Sequence, residues 1–194
     1  MVHLTGVTAL SDALGGKRLQ LLTQAVPGAD RIAVLVNPAY PDDTGPFLNG
    51  VKKAARSLGG TLHVLEVRHP GEFERAFADM QRASDRALIV GTDPMFNTNR
   101  GRLVALAAES RLPAMYGLRE FMPEGGLMFY GASLPHMYRR AAVFVDQILK
   151  GVKPADLPVE QATNFDLVIN LRTAQALNLT IPPLLLFQAN EVIR

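Results

Sequence analysis

Short apolar runs alternate with amphipathic segments in the middle of the chain. Residues 31–37 form a nearly continuous apolar run that stops at an Asn-Pro pair, as is typical of a strand buried on both faces of a parallel sheet. Apolar residues then recur at helical spacing as far as Gly59, and Thr44 and Pro46 predict an N-cap and a first turn for that helix. The pattern therefore predicts one strand followed by one helix.

This strand and helix unit repeats along the chain. Further strands are predicted at residues 61–67, 87–91 and 114–117, with helices at 71–83 and 98–110 between them. Strands that alternate with helices of this length predict right-handed crossovers and an α/β fold. The expected architecture is a Rossmann-like or flavodoxin-like doubly wound parallel sheet.

The two ends of the chain follow a different pattern. A helix is predicted at residues 15–26, after a loop at 6–13 with no strong strand before it. Residues 135–150 carry the broadest apolar stripe in the sequence, and such a stripe needs a large partner surface. The other predicted elements are a strand at 127–131, a strand at 165–169, a helix at 171–179 capped by Asn170, and a last helix that follows Pro182 and ends near Val192.

Polar residues follow three of the predicted strands, at positions 37–40, 91–94 and 116–120. In doubly wound sheets, ligands bind at the carboxyl ends of the strands, so this edge is where we expect a site. Asn, Asp, Gly and Pro are also common turn formers after strands. Both interpretations, a binding site and a set of turns, stay open on the sequence alone.

Composition and charge exclude several classes of protein. The 194 residues are 48% hydrophobic and 20% charged, which argues against coiled-coil, collagen-like and disordered chains. A net charge of +2 is too small to predict a nucleic-acid partner or an anionic membrane surface. The absence of cysteine excludes disulfides, thiolate metal sites and cysteine nucleophiles. The first residues lack the features of a secretory signal, so the chain as written predicts neither export nor anchoring.

Common catalytic and cofactor motifs do not occur in the sequence. There is no phosphate loop, no GxGxxG after a strand and no GxSxG elbow. The histidines, His3, His63, His69 and His136, lack metal-ligand spacing, and His63 in a predicted strand favours a structural role. Asp42 and Asp43 are adjacent in front of a helix, a position more typical of helix stabilisation than of acid/base work. We expect no enzyme, no cofactor and no metal.

Motifs along nearly the whole chain resemble the ABC transporter substrate-binding proteins related to the tryptophan/tyrosine-binding group. The resemblance depends on order and spacing over many short stretches. They are residues 7–10, 16–28, 31–38, 112–117, 125–131, 138–142, 148–160 and 167–174.

The resemblance implies a type I periplasmic binding protein, in which two Rossmann-like lobes joined by crossing strands clamp a ligand between them. It implies that residues 6–131 form the second lobe and that residues 132–194 supply a crossover helix, a return strand and C-terminal helices. Most of the first lobe is then absent, and helix 135–150 is expected to pack on it. The implied function is solute binding for an ABC importer, with an ABC permease as partner and the periplasm as location; if Met1 is the true start, the location is cytoplasmic.

The resemblance also implies that the second lobe contributes its strand ends to the ligand site. A carboxylate such as Asp93 can accept a hydrogen bond from a ligand ammonium, tyrosine rings can cover an apolar group, and Arg119 can pair with a carboxylate. The expected ligand is small and polar, such as an amino acid. The candidate ligand-binding residues are Asn37, Tyr40, Thr92, Asp93, Tyr116 and Arg119.

Two other functions compete with solute binding. A sensor or an enzyme such as a racemase can use the same flavodoxin-like sheet, although a racemase needs facing acid/base residues and no cysteine is present to supply thiols. Alternatively, the chain is a lobe that binds no ligand and forms a homodimer through its exposed surface. For a truncated lobe of this kind, we expect self-association.

Overall fold

The computed structural model describes residues 4–9 and 14–194. Within these, the strands are β1 (Gly6–Thr8), β2 (Arg31–Val36), β3 (Thr61–Glu66), β4 (Ala87–Val90), β5 (Ala114–Tyr116), β6 (Met128–Ala132), β7 (Val159–Gln161), β8 (Phe165–Asn170) and β9 (Glu191–Ile193). The helices are α1 (Gly15–Ala25), α2 (Pro41–Leu58), α3 (Phe73–Arg82), α4 (Pro94–Thr98), α5 (Arg100–Glu109), α6 (Leu134–Leu149), α7 (Leu171–Ala176) and α8 (Pro183–Gln188).

The main sheet has the strand order β3-β2-β4-β5-β6-β8-β9. Its neighbouring strands are parallel except β6 and β8, which run antiparallel. Both faces are covered, and β4 is buried along its whole length. The doubly wound, mostly parallel α/β sheet predicted from the sequence is confirmed, because apolar runs such as β2 and β4 can be satisfied only between two layers of helices.

The two layers follow from the alternation of side chains along each strand. In β2, Ile32 and Val34 belong to a core that includes α1 and α2, whereas Ala33 and Leu35 belong to a core that includes α3 and α5. Successive side chains on a strand point to opposite faces, so one apolar strand supplies both cores. This arrangement holds the carboxyl ends of the strands at one edge of the sheet.

The strand order contains a switch point between β2 and β4. After β2 the chain passes to β3 on one side, and it then returns to β4 on the other side. The connections that follow the two strands therefore leave in opposite directions, which opens a crevice at their carboxyl ends. This crevice contains two of the three polar stretches that the sequence analysis marked.

The N-terminal loop predicted at residues 6–13 is wrong in its first part, because β1 is a strand. It pairs in parallel with β7 in a separate two-stranded sheet, with Gly6 opposite Val159. A strand of three residues shows little pattern of its own and depends on a partner about 150 residues away in the sequence. The rest of that predicted loop, residues 10–13, lies outside the described residues.

Three predicted helix boundaries are also corrected. Helix α2 begins at Pro41, so Thr44 is not its N-cap; the Thr44 hydroxyl instead donates to the Asn37 carbonyl at 2.8 Å. The predicted helix at 171–179 ends at Ala176, although Asn170 does cap it. The segment after α8, predicted as helix to Val192, is strand β9, because it can pair with β8.

Helix α6 leaves most of its apolar stripe uncovered. Phe144 is its buried residue, whereas Tyr138 is 74% exposed and Leu149 is 82% exposed. The predicted need for a large partner surface therefore remains unmet by the described residues. No helix in the described part of the chain has the length and hydropathy that a membrane span requires.

Candidate functional site

A small pocket of about 140 Å³ opens at the switch point between β2 and β4. Four of the six predicted site residues line it together: Asn37, Tyr40, Thr92 and Asp93. Two buried rings, Phe47 and Phe96, form part of its apolar wall. We call it the polar pocket, and its other lining residues are Val36, Asp43, Thr44, Gly91 and Pro94.

Asn37 and Asp93 form the buried polar centre of this pocket. The Asn37 amide donates to the Asp93 carboxylate at 3.0 Å, and both residues are less than a tenth exposed. The Asn37 side-chain oxygen accepts the backbone N–H of Ala39 at 3.0 Å, which fixes the orientation of the amide. The strand ends of β2 and β4 are thus joined by a side-chain hydrogen bond across the switch point.

Asp93 also caps helix α4, a role that the sequence analysis did not predict. Its Oδ1 accepts the backbone N–H groups of Met95 at 2.8 Å and Phe96 at 3.3 Å, and Pro94 occupies the first helical position. A carboxylate offers about four acceptor positions, and these contacts together with Asn37 use three of them. Among the described residues, these three contacts leave one acceptor position on the carboxylate.

The polar pocket is acidic. Asp43 and Asp93 both line it, and none of its lining residues is a lysine or an arginine. Asp43 was predicted only to stabilise the start of a helix. It does lie in the first turn of α2, and it also lines this pocket. Two carboxylates and an exposed tyrosine ring, Tyr40, favour a ligand group that is cationic and donates hydrogen bonds.

A second pocket of about 420 Å³ lies next to the first, and Thr92 lines both. Its walls are mostly apolar, and Arg119, Glu120 and Asp166 are its charged lining residues besides Arg18. We call it the apolar pocket; its remaining lining residues are Ala9, Gly117, Leu118, Phe129, Ala132, Leu134 and Pro135. In this pocket, residues that follow β5 lie close to the last residue of β6 and the first residues of α6.

Arg119 lies at this second pocket and forms an ion pair with Glu191 of β9. The sequence could not predict this partner, because β9 was expected to be a helix. Arg119 remains almost half exposed, so its guanidinium is accessible from the pocket. A ligand carboxylate that reached it would compete with the Glu191 carboxylate for the same donors.

Tyr116 does not line either pocket. It is 1% exposed and stacks on Phe121 with ring centroids 4.4 Å apart, inside the core shared with α3 and α5. Burial raises the pKa of its hydroxyl well above the ordinary value. The ring cannot cover a ligand from this position, because the last residue of β5 points into the helix layer and Gly117 takes its place at the cleft.

Arg18, which was not among the predicted site residues, is fully buried beside Thr92 and Gly117. Its Nε donates to the Tyr130 carbonyl at 2.9 Å, and its terminal nitrogens lie 3.5 Å from Thr92 Oγ1 and from the Gly117 carbonyl. The sequence does contain an indication that Arg18 is buried. Arg18 falls on the same face of α1 as Leu22 and Ala25, where an amphipathic helix normally has apolar residues.

A second cluster of charged side chains lies at the opposite edge of the sheet. Asp85, whose side chain is fully buried, accepts from Arg31 Nε at 2.9 Å and lies 2.6 Å from His63 Nδ1. Arg31 begins β2 and Asp85 precedes β4, so this cluster is at the amino ends of the strands. The cluster joins neighbouring strands at this edge, which agrees with the structural role expected for His63.

The family model of the ABC transporter substrate binding proteins matches residues 3–193 of the chain. Comparison with the curated proteins gives no match. The remaining comparisons are with solved structures, and they show that the fold is similar.

Two of the similar structures superpose on nearly the whole chain. The ABC domain in complex with L-Trp from Streptococcus pneumonia is 24% identical with a TM-score of 0.80, over 92% of this chain and 60% of that one. A conserved domain protein from Vibrio cholerae is 21% identical with a TM-score of 0.82, over 97% of this chain and 62% of that one.

A third similar structure is a substrate binding protein with adhesive properties from Clostridium difficile, in its ligand-free, open form. It is 18% identical with a TM-score of 0.71, over 97% of this chain and 62% of that one. The chain thus spans about 60% of the length of these structures. Because the family model covers residues 3 to 193, the chain belongs to the ABC transporter substrate-binding protein family.

Proposed function

We propose that this chain is the solute-binding component of an ABC importer, or one lobe of such a component, and that it binds an amino acid at the carboxyl ends of β2 and β4. The observation that carries the proposal is the polar pocket, where Asn37, Thr92 and Asp93 meet at the switch point of a doubly wound sheet. Binding a ligand in such a crevice requires no catalytic group.

The charge of the polar pocket supports an amino acid as the ligand. Its carboxylates, Asp43 and Asp93, are complementary to an ammonium group, and Tyr40 supplies an aromatic face for the same cation. In the similar structure from Streptococcus pneumonia, the ligand is L-Trp, a zwitterion with an apolar side chain. The ammonium of such a ligand is the part that this pocket suits.

The size of the two pockets supports a ligand that extends from one to the other. The polar pocket, at about 140 Å³, is smaller than the several hundred Å³ of ordinary ligand sites. The apolar pocket adds about 420 Å³ on the far side of Thr92. We therefore propose that the ammonium occupies the polar pocket and that the apolar side chain lies toward Leu118 and Phe129.

We propose one change to the domain division expected from the sequence, 6–131 and 132–194. Strand β1 pairs with β7, and Arg140 of α6 holds Glu160 of β7 through hydrogen bonds of 2.6 and 2.5 Å. We propose that β1, α6 and β7 form part of the first lobe, whereas α1 to β6 form the second. The uncovered stripe of α6 and the greater length of the similar structures support a larger first lobe.

The rest of the proposal concerns partners and location. The family implies an ABC permease that receives the solute and a place outside the cytoplasm, in the periplasm. In such a system the ligand is held between two lobes that close on it by a hinge motion. The chain crosses between the proposed lobes at Ser133 and Asn164, where the Ser133 N–H donates to the Asn164 carbonyl at 2.9 Å.

Calorimetric titration with L-tryptophan tests the proposal. We expect the chain to bind it, and we expect Asp93→Asn to weaken binding on the order of tenfold. This change keeps an oxygen for the α4 cap, but it removes the charge and turns an amide N–H donor toward the Asn37 amide. Asp156→Asn, an exposed carboxylate on the turn between α6 and β7, serves as the control and should leave the affinity unchanged. Equal affinities for the wild type and Asp93→Asn would remove Asp93 from the binding site.

A further inference from the structure

Arg18 is a buried cation next to the proposed binding site, and its position calls for an explanation. Placing a guanidinium at 0% exposure costs several kcal/mol unless hydrogen bonds compensate for the lost water. Its described acceptors are not on its own helix: they are the Tyr130 carbonyl, Thr92 Oγ1 and the Gly117 carbonyl. These three groups belong to the ends of β6, β4 and β5, which are neighbours in the sheet.

The backbone at Gly117 makes room for this guanidinium. A Cβ at position 117 would lie 2.4 Å from Thr92 Oγ1 and 2.8 Å from the Arg18 Cζ, both far inside contact distance. Arg18 is 0% exposed and its guanidinium lies against this backbone, so a side chain at position 117 would displace it. Arg18, Thr92 and Gly117 therefore form one interlocked group.

All three members of this group line at least one of the two pockets. Thr92 is the residue that lines both pockets, and Gly117 and Arg18 line the apolar one. Tyr130 is two residues from the end of β6, after which the chain crosses to α6. The guanidinium thus connects the wall between the pockets to the strand that leads out of this lobe.

We propose that Arg18 is a positioning residue for the ligand site: it holds the ends of β4, β5 and β6 together and so fixes Thr92 and Gly117 in the geometry that the ligand meets. The proposal rests on the proposed function for its ligand, but the positioning itself is a property of the apo chain. Arg18 acts through Thr92 and Gly117.

Amide hydrogen exchange on the full chain tests the positioning. Arg18→Lys keeps the charge but replaces a fork of five donors by one ammonium that cannot reach all three strand ends. We expect exchange at residues 91–93, 117–118 and 130–132 to become faster on the order of tenfold. Arg31→Lys is the matched control, because it also alters a partly buried arginine pair, at the opposite edge of the sheet. We expect it to leave those three segments unchanged.

Two results would overturn the proposal. One is exchange in Arg18→Lys that rises evenly over the whole sheet, as in a general loss of stability. The other is exchange at the three segments that matches the wild type. If Arg18→Lys does not fold, Thr92→Val decides, since it removes only the hydroxyl acceptor: faster exchange at residues 91–93 and 117–118 supports the proposal, and unchanged exchange overturns it.

The ligand arm of the experiment separates this proposal from the proposed function. With L-tryptophan as the probe, Arg18→Lys should bind on the order of tenfold more weakly than the Arg31→Lys control. Equal affinity of the two variants overturns the positioning role. If the wild type does not bind L-tryptophan, the proposed ligand fails, while the exchange result still decides the role of Arg18.

Discussion

At the scale of single residues, Asp93 links a helix and a strand end next to the polar pocket. It caps α4 through the backbone N–H groups of Met95 and Phe96, and it holds Asn37 across the switch point. The helix cap is therefore compatible with the proposed binding role of Asp93. An Asp directly before a Pro is a signal for a helix start. Helix α4 has only five residues, too few to show a helical pattern, so this signal was not recognised in the sequence.

The cap of Asp93 predicts a loss of stability that is separate from ligand binding. Asp93→Ala removes the cap and the partner of the buried Asn37 amide, so we expect the free energy of unfolding to fall by about 1–3 kcal/mol. Asp93→Asn, which can still cap the helix, should lose less. Urea denaturation in the absence of ligand measures both values. Equal stability of Asp93→Ala and the wild type would contradict the assigned cap.

For the candidate site residues, the sequence predicted which residues lie at the sheet edge better than it predicted where their side chains point. Asn37, Thr92 and Asp93 follow strands at the switch point and do line the polar pocket, because the residue after a parallel strand must emerge at the sheet edge. Tyr116 is still inside β5, where alternation turned its ring into the core. Arg18 was missed because its partners come from three strands that are distant in the sequence.

At the scale of elements, apolar runs and helical stripes were predictable from the sequence, whereas strands β1, β7 and β9 were not. Strands β2, β4 and β5 were identified by apolar runs, and α3 by the helical spacing of its apolar residues. Strands β1, β7 and β9 have three residues each, and each depends on pairing with a partner strand. Local pattern does not record such pairings, which is why β9 was mistaken for the end of a helix.

The ion pair between α6 and β7 makes this contact dependent on pH. The Arg140 guanidinium donates to Glu160 and holds the pKa of that carboxyl below its ordinary value of 4.5. A carboxyl whose pKa is lower in the folded state stabilises that state above its ordinary pKa, and this contribution is lost as the pH falls through the lowered pKa. Acidification through the lowered pKa of Glu160 should therefore weaken the contact.

We expect Glu160→Gln to remove this dependence. Amide exchange in β7, measured between pH 6 and pH 3 and corrected for intrinsic rates, should lose protection on acidification in the wild type and change less in the variant. Glu109→Gln, at the end of α5, is the control and should behave as the wild type does. The assignment fails if the wild type and Glu160→Gln lose protection to the same extent.

At the scale of the whole molecule, the described residues cover the main sheet but leave the apolar stripe of α6 exposed. The seven-stranded sheet has helices on both faces, whereas the stripe of α6 presents Tyr138, Val145 and Leu149 to solvent. Contiguous apolar surface of this kind usually marks an interface. The chain spans about 60% of the similar structures, which agrees with a proposed first lobe that is only partly represented here.

The uncovered stripe predicts that the 194-residue chain self-associates through α6. The double variant Val145→Lys with Leu149→Lys should shift the chain toward the monomer, because it places two charges in the contact. Leu184→Lys on α8, which is also highly exposed, is the control and should keep the oligomeric state. Light scattering at micromolar concentration measures the mass; a monomeric wild type would contradict the prediction.

The measurement that tests the central claim most directly is an NMR titration of the isotope-labelled chain with L-tryptophan, since it detects weak binding and locates it. We predict that the amide signals that shift belong mainly to residues 37–44 and 91–96, around the polar pocket, with a second group at 117–120. Shifts that cluster around the Asp85 edge of the sheet, or no shifts at millimolar ligand, would contradict a binding site at the carboxyl ends of the strands.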